Sequence, residues 1–282
     1  MRVAIAGLGL IGGSFAKAIK ARTAHHVTGY DIDGETQERA LREGAVDGTG
    51  AGGFGACDLG LVALYPADSV EFIKSAAPGM KRGSVIIDLC GVKRYVCSAV
   101  KRVELGEGVT FIGGHPMAGR EEFGYDGSLS ALFEGASMIL TPEPSAPPDK
   151  LRAAEDFFIS LGFAGVTVTT PERHDEMISF TSQLAHVVSS AYAQCPLAGG
   201  FEGFSAGSFG DMTRVAKLNE RMWTELFLRN GDYLTEQIDA LTCKLKEFRD
   251  SISGGDGDGL TRLLRGGRVI KEEFERKRKM QP

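Results

Sequence analysis

At 282 residues the chain exceeds the usual single-domain size, so two packed units of somewhat over a hundred residues each are expected. Its 43% hydrophobic and 24% charged residues and its net charge of −5 are ordinary for a globular protein and give no reason to invoke nucleic acid. No apolar stretch approaches a membrane span. The five cysteines, Cys57, Cys90, Cys97, Cys195 and Cys243, form no CxxC pair and have no histidine at ligand spacing, so a cytoplasmic protein with reduced thiols and no metal is expected.

In chain order, a short apolar run at residues 3–6 leads into Gly7-Leu8-Gly9-Leu10-Ile11-Gly12 and then a helical pattern at 14–20. Its glycines are not followed by a cleavage site, which argues against a signal peptide. Further apolar runs follow at 27–30, 59–64, 85–89, 111–112 and 138–140, with helical patterns between them. The alternation predicts a parallel sheet wrapped by helices, an α/β Rossmann-type domain. A stretch crowded with Gly44, Gly48, Gly50, Gly52, Gly53 and Gly55 reads as a surface loop. Prolines at 142, 144, 147 and 148 mark a turn before a helix at 151–161, and 165–169 reads as a last strand. Beyond Pro171 long 3.6-residue periods dominate, so residues 1–170 are expected to form the nucleotide-binding domain and 171–282 an all-α domain. Glycines and aspartates at 251–259 precede a final amphipathic helix. Its cations at 262–279 interleave with Glu272, Glu273 and Glu275, so a solvated face is favoured over a nucleic-acid patch.

The glycine loop gains meaning from its place between a strand and a helix. Gly7 permits the tight turn, Gly9 admits the pyrophosphate, and Gly12 allows close packing, while the backbone of Leu10 and Ile11 begins a helix whose N–H groups and dipole suit phosphate. Asp31 lies nineteen positions after Gly12, where an acid binds the adenosine ribose hydroxyls. A carboxylate there repels a ribose 2′-phosphate, so NAD is favoured over NADP as cofactor.

A second motif, His115-Pro116-Met117-Ala118-Gly119, follows the run at 111–112 and places an imidazole at the carboxyl edge of the sheet. With Gly29-Tyr30-Asp31, Asp88, Val92-Lys93, Glu121, His174-Asp175, residues 182–186, Asp211-Met212-Thr213-Arg214, Met222-Trp223 and Asn230, the chain resembles the prephenate dehydrogenase family over nearly its whole length. The resemblance implies a Rossmann domain joined to an all-helical dimerisation domain, a homodimer, and NAD-dependent oxidative decarboxylation of prephenate to 4-hydroxyphenylpyruvate in tyrosine biosynthesis.

It also implies roles. His115 is the base for the ring hydroxyl, a task worth roughly 10²–10⁴-fold in rate. Arg214 binds a substrate carboxylate, with Glu121 and Asp211 ordering it. Asp211 and Arg214 are three residues apart and also read as a local salt bridge. His186 binds a carboxylate and favours prephenate over arogenate. Gln183 joins the substrate-binding set, and Ser182, His186 and Ser189 share a helix face opposite Leu184, Val188 and Ala191. Leu64, Tyr65 and Cys90 border the cofactor, although Cys90 also reads as an inert buried thiol. His174 reads as structural, near a helix start.

Three positions depart from the family pattern: Gly91 where serine is usual, Gln183 where a second histidine is usual, and Gly210 where arginine is frequent. Gly91 and Gln183 keep open a non-catalytic NAD(H)-binding sensor, Gly210 reduces positive charge, and arogenate dehydrogenase is the near alternative among enzymes. A 3-hydroxyacid dehydrogenase is a weaker reading, in which Lys217 would replace His115 as the acting residue.

Overall fold

The computed structural model of the protein describes residues 1–200, 203–204 and 207–280; beyond 277 the side chains of the basic tail, Lys279 among them, lie outside the description. It forms two compact units, Met1–Gly231 and Asp232–Pro282.

The first unit is built on an eight-stranded sheet of order β3-β2-β1-β4-β5-β6-β7-β8. The strands are β1 (Arg2–Ala6), β2 (His26–Tyr30), β3 (Gly48–Thr49), β4 (Leu59–Val62), β5 (Val85–Asp88), β6 (Thr110–Pro116), β7 (Ser137–Pro142) and β8 (Gly165–Val168). All neighbours run parallel except β6 and β7, which are antiparallel, so the sheet is mixed and not wholly parallel. Strand order reverses between β1 and β4, and the carboxyl edge there is the natural crevice for a ligand. Alternate residues feed two cores on opposite faces. Val3, Ile5, Leu61 and Ile87 join a cluster with Phe15, Phe133 and Phe158, whereas Ala4, Ala6, Val62 and Ile86 join Phe54 and Ile73.

Helices α1 (Leu10–Arg22), α2 (Gly34–Arg42), α3 (Pro66–Ala76), α4 (Arg94–Val100) and α5 (Pro148–Ser160) connect the strands. The glycine-crowded stretch, expected as a surface loop, instead contributes β3 and a 3-10 turn at Ala51–Ala56. Phe54 within it is buried against Gly60, where a Cβ would lie 2.8 Å from its ring, and this contact anchors a segment without apolar periodicity.

After β8 the unit continues as α6 (Pro171–Ile178), a π-helical turn (Ser179–Gln183), α7 (Leu184–Ala193), α8 (Gly207–Thr213) and α9 (Glu220–Arg229). The expected apolar stripe of α7 is only partly inward. Leu184 and Ser189 are buried whereas Ala191 is exposed, because the π-turn rotates the helix relative to an uninterrupted 3.6-residue register.

The second unit consists of α10, which starts at the boundary (Gly231–Ser253), and α11 (Gly257–Met280), joined by a turn in which Gly255 has φ +66° and Asp256 accepts from the Gly259 N–H at 2.8 Å. Pairs Arg268–Glu272 and Lys271–Glu275, one helical turn apart, interleave cations and carboxylates along α11, which also exposes Leu264, Ile270 and Phe274. Among the described residues no helix is long and apolar enough to cross a membrane.

Candidate active site

The loop after β1 turns back at Gly7, whose φ is +82° and whose N–H donates to the Tyr30 carbonyl at 2.8 Å. A Cβ on Gly7 would sit 2.4 Å from the Ala63 carbonyl oxygen, and one on Gly12 would sit 1.7 Å from the Gly7 carbonyl oxygen. Only glycine fits either place. Gly9 differs: a Cβ there would meet nothing within 4 Å, so the loop is open on that side. No side chain caps α1, so the N–H groups of its first turn, including Leu10 and Ile11, could hold an anion.

Asp31 stands just past β2 and is drawn to this loop. Its Oδ2 accepts from the Leu8 N–H at 2.7 Å and its Oδ1 from the Asp33 N–H at 3.0 Å. Leu64 lies against Gly7 across the crevice, and Tyr65 is the residue preceding α3. Cys90 is buried, its Sγ 3.1 Å from Ser69 Oγ and 3.4 Å from the Leu64 carbonyl oxygen. Burial and the nearby Asp88 carboxylate push its thiol far above the usual range, so it stays a neutral wall group.

His115 emerges from the end of β6 beside this crevice, partly exposed. Its Nδ1 lies 2.9 Å from Nε2 of the buried His174, and His174 Nδ1 lies 2.7 Å from Asp175 Oδ1. Asp175 in turn accepts from the Lys93 and Arg94 N–H groups at 2.7 and 2.9 Å, holding the start of α4, and its main-chain carbonyl accepts from Asn230 at 2.9 Å. Burial lowers the pKa of His115 well below 6.5, and the charge of His174 whenever that ring is protonated, and then that of Lys93, lower it further. Burial also lowers His174, against the pull of Asp175. Both rings are therefore neutral near pH 7. Burial works to raise Asp175, but its bonds to His174 and to the α4 amides outweigh that and hold it below 3.8.

Lys93 is fully buried, paired with Asp88 and donating to the carbonyl of Gly114, the residue before His115, at 2.6 Å. Gly91 leaves a notch beside His115: a Cβ there would lie 3.8 Å from His115 Nε2 and 3.4 Å from Leu226.

Helix α9 crosses the carboxyl edge. Glu225 accepts from the Ala67 N–H at 2.8 Å at the start of α3, and the Arg221 guanidinium lies 5.6 Å from the Tyr65 ring centroid. Asn230, just past α9, donates to Gln183 Oε1 at 2.8 Å, and Gln183 donates to the Leu226 carbonyl at 3.3 Å. Gln183 is thus buried with both amide atoms engaged by protein.

His186 stacks on Trp223 at 3.7 Å between centroids and donates from Nδ1 to the Ser182 carbonyl at 2.9 Å, which leaves Nε2 for a ligand. Burial lowers its pKa, and Arg214 lowers it further. Arg214 pairs with Glu121 and stays two-thirds exposed. Asp211 is exposed on α8, and the local Asp211–Arg214 bridge does not form because α8 ends at Thr213 and Arg214 begins a 3-10 turn. Lys217 is exposed just after that turn. Among the described residues no cluster of His, Cys, Asp or Glu could hold a metal.

The site residues that sequence reasoning left out are Glu225 and Leu226, which carry no local signal, and His174, which it placed as structural.

Two family models match this chain: the nucleotide-binding domain of prephenate dehydrogenase over residues 15–167 and its dimerization domain over residues 170–266. The chain belongs to the prephenate dehydrogenase family. It is 32% identical to the cyclohexadienyl dehydrogenase of Zymomonas mobilis, over 92% of this chain and 90% of that protein. It is 27% identical to the prephenate dehydrogenase of Bacillus subtilis, over 96% of this chain and 75% of that one. In structure it is similar to prephenate dehydrogenase from A. aeolicus in complex with hydroxyphenyl propionate and NAD+, with a TM-score of 0.87, 26% identity and 97% and 98% of the two chains covered.

Proposed function

We propose that the protein catalyses the NAD-dependent oxidative decarboxylation of prephenate to 4-hydroxyphenylpyruvate. The observation that carries this reading is His115, a neutral imidazole at the carboxyl edge of the sheet, in a chain of this family whose glycine loop is open at Gly9.

The crevice fits a dinucleotide. The uncapped start of α1 suits its pyrophosphate, and the Asp31 carboxylate, already accepting from Leu8 and Asp33, keeps lone pairs for ribose hydroxyls and disfavours a 2′-phosphate. NAD+ supplies the hydride acceptor when bound, with Leu64, Tyr65 and Cys90 bordering it. His115 accepts the proton of the ring hydroxyl at Nε2, because Nδ1 is engaged by His174. Arg214 presents a planar, always charged fork to a substrate carboxylate, with Glu121 holding it until substrate arrives. His186, braced by Trp223 and by its Nδ1–H bond to the Ser182 carbonyl, binds the other carboxylate through Nε2 when that nitrogen is protonated, a state the carboxylate's own charge favours. Loss of carbon dioxide then yields a phenol, so the protein need only hold the ring and avoid stabilising the departing carboxylate. Gln183 supports this arrangement from outside the reacting groups by bracing α9, whereas Asp211, exposed on α8 and not bonded to Arg214, takes no part in it.

One observation favours arogenate as a second substrate: the Glu121 carboxylate beside Arg214 is a partner for an ammonium group. The match to a dimerization domain, together with exposed Leu264, Ile270 and Phe274 on α11, supports a homodimer formed through residues 171–282, with residues 1–170 as the nucleotide-binding domain.

The test is NADH formation from prephenate by the purified protein and its His115→Asn variant, alongside NAD titration of both. The reading requires turnover that the variant loses by roughly 10²-fold or more while it still binds NAD. Equal turnover by the variant refutes it.

A further inference from the structure

Resting on the dehydrogenase reading, we infer that His174 and Asp175 are positioning residues that force His115 into the tautomer with a free Nε2 lone pair and share the charge it acquires. Asp175 is ionised and can only accept, so His174 Nδ1, 2.7 Å away, carries the hydrogen. A neutral His174 then has an unprotonated Nε2, which can only accept. His115 Nδ1, 2.9 Å from that atom, must therefore donate, and the lone pair is left on His115 Nε2. This nitrogen is the one beside the Gly91 notch, on the open side of the ring.

The order of the three residues matters. When the substrate O–H bond breaks and the Nε2–H bond forms, His115 becomes a cation whose Nδ1–H already points at a polarised acceptor, and Asp175 balances the charge through His174. No proton leaves His115 Nδ1 in this step. The surrounding charges agree: Lys93 is neutralised by Asp88 beneath Gly114, and Arg94 lies on the far side of Asp175, which it contacts at 3.4 Å. Asn230 and Gln183 are uncharged. If the His174–Asp175 pair took up a proton, His174 Nε2–H would donate to His115 Nδ1 and move the His115 hydrogen to Nε2, and the base would be lost. Acid therefore switches the site off through the pair as well as through His115 itself.

Local sequence gives no hint of this, since His174 and Asp175 lie in α6, 59 and 60 positions from His115.

Two measurements test it. Long-range ¹⁵N–¹H correlation spectra of the ligand-free protein near pH 7.5 are expected to find His115 and His174 both protonated at Nδ1, with unprotonated Nε2 atoms; His115 protonated at Nε2 overturns the inference. In the pH profile of kcat/KM, His174→Phe is expected to lose roughly 10–10²-fold in kcat with little change in KM, and its acid limb should move to lower pH. His174→Gln, which keeps an acceptor, should recover part of the loss. A purely structural role would lower stability and leave the acid limb in place, and that result overturns the inference. If His174→Phe does not fold, the spectra of the parent still decide. Absence of turnover of prephenate and arogenate by the parent, with both tautomers as stated, refutes the dehydrogenase reading and leaves the hydrogen-bond chain intact.

Discussion

Replacing the two loop glycines one at a time separates packing from ligand binding. In Gly12→Ala the new Cβ falls 1.7 Å from the Gly7 carbonyl oxygen and 3.1 Å from Ala63 Cβ. Roughly 1.5 Å must be recovered to reach ordinary contact, and the obstacle is backbone, so the cost lies at the upper end of about 1–3 kcal/mol for overpacking. In a unit of this size that lowers the unfolding temperature by roughly 5–10 °C. Gly9→Ala meets nothing within 4 Å and has φ −66°, which alanine adopts freely, so its stability should stay within about 0.5 kcal/mol of the parent. Its methyl group instead fills the space for the pyrophosphate, and NAD affinity should fall about tenfold or more. Thermal unfolding and calorimetric NAD titration of both variants check this. A Gly9→Ala protein that binds NAD as tightly as the parent, or a Gly12→Ala protein that melts with it, refutes the reasoning.

Arg214→Lys should raise KM for prephenate roughly tenfold with a smaller effect on kcat, because the fork is lost and the charge kept; an unchanged KM removes Arg214 from carboxylate binding. Asp31→Ser should narrow the preference for NAD over NADP about tenfold or more, read as the ratio of the two dissociation constants. Glu225→Ala deletes the acceptor for the Ala67 N–H at the start of α3 and should cost about 1 kcal/mol in urea unfolding, with NAD affinity little altered. The histidines also predict acid lability. His115 and His174 are both held below 6.5 when folded, so between their lowered values and 6.5 the unfolded chain binds protons that the folded one refuses. Their contribution is complete above about pH 6.5 and is lost as pH falls through the lowered values, so chemical denaturation midpoints should drop from about pH 7 to about pH 5, less steeply in His174→Gln. Equal slopes in the two proteins would contradict this.

Strands with strong apolar runs were legible from sequence, and so was the glycine loop with its acid, because each rests on short-range pattern. Strand β6 was visible only at Phe111 and Ile112, since Gly113 and Gly114 carry no hydrophobic signal; they are glycine because Thr141, Met138 and Ile87 press on them. The reversal of β7 depends on pairing with β6 and has no local signature. Phe54 owes its burial to Gly60 and not to any periodicity in its own segment. In the site, His115 announced itself by motif and by its place after a strand. Its partner His174 looked like a helix-start residue because the contact between them exists only once β6 and α6 are packed. Likewise Arg214 meets Glu121, 93 residues away, and not the nearby Asp211, because the helix expected to join Asp211 and Arg214 ends between them. Gln183 turned inward through the π-turn, a register change that a 3.6-residue pattern does not foresee.

The central claim, that this chain oxidises prephenate with NAD, is tested most directly by steady-state NAD(P)H formation with prephenate and arogenate crossed against NAD and NADP. The account predicts the highest kcat/KM for prephenate with NAD. Equal or greater turnover of arogenate would contradict the substrate assignment, and equal or greater turnover with NADP would contradict the role given to Asp31.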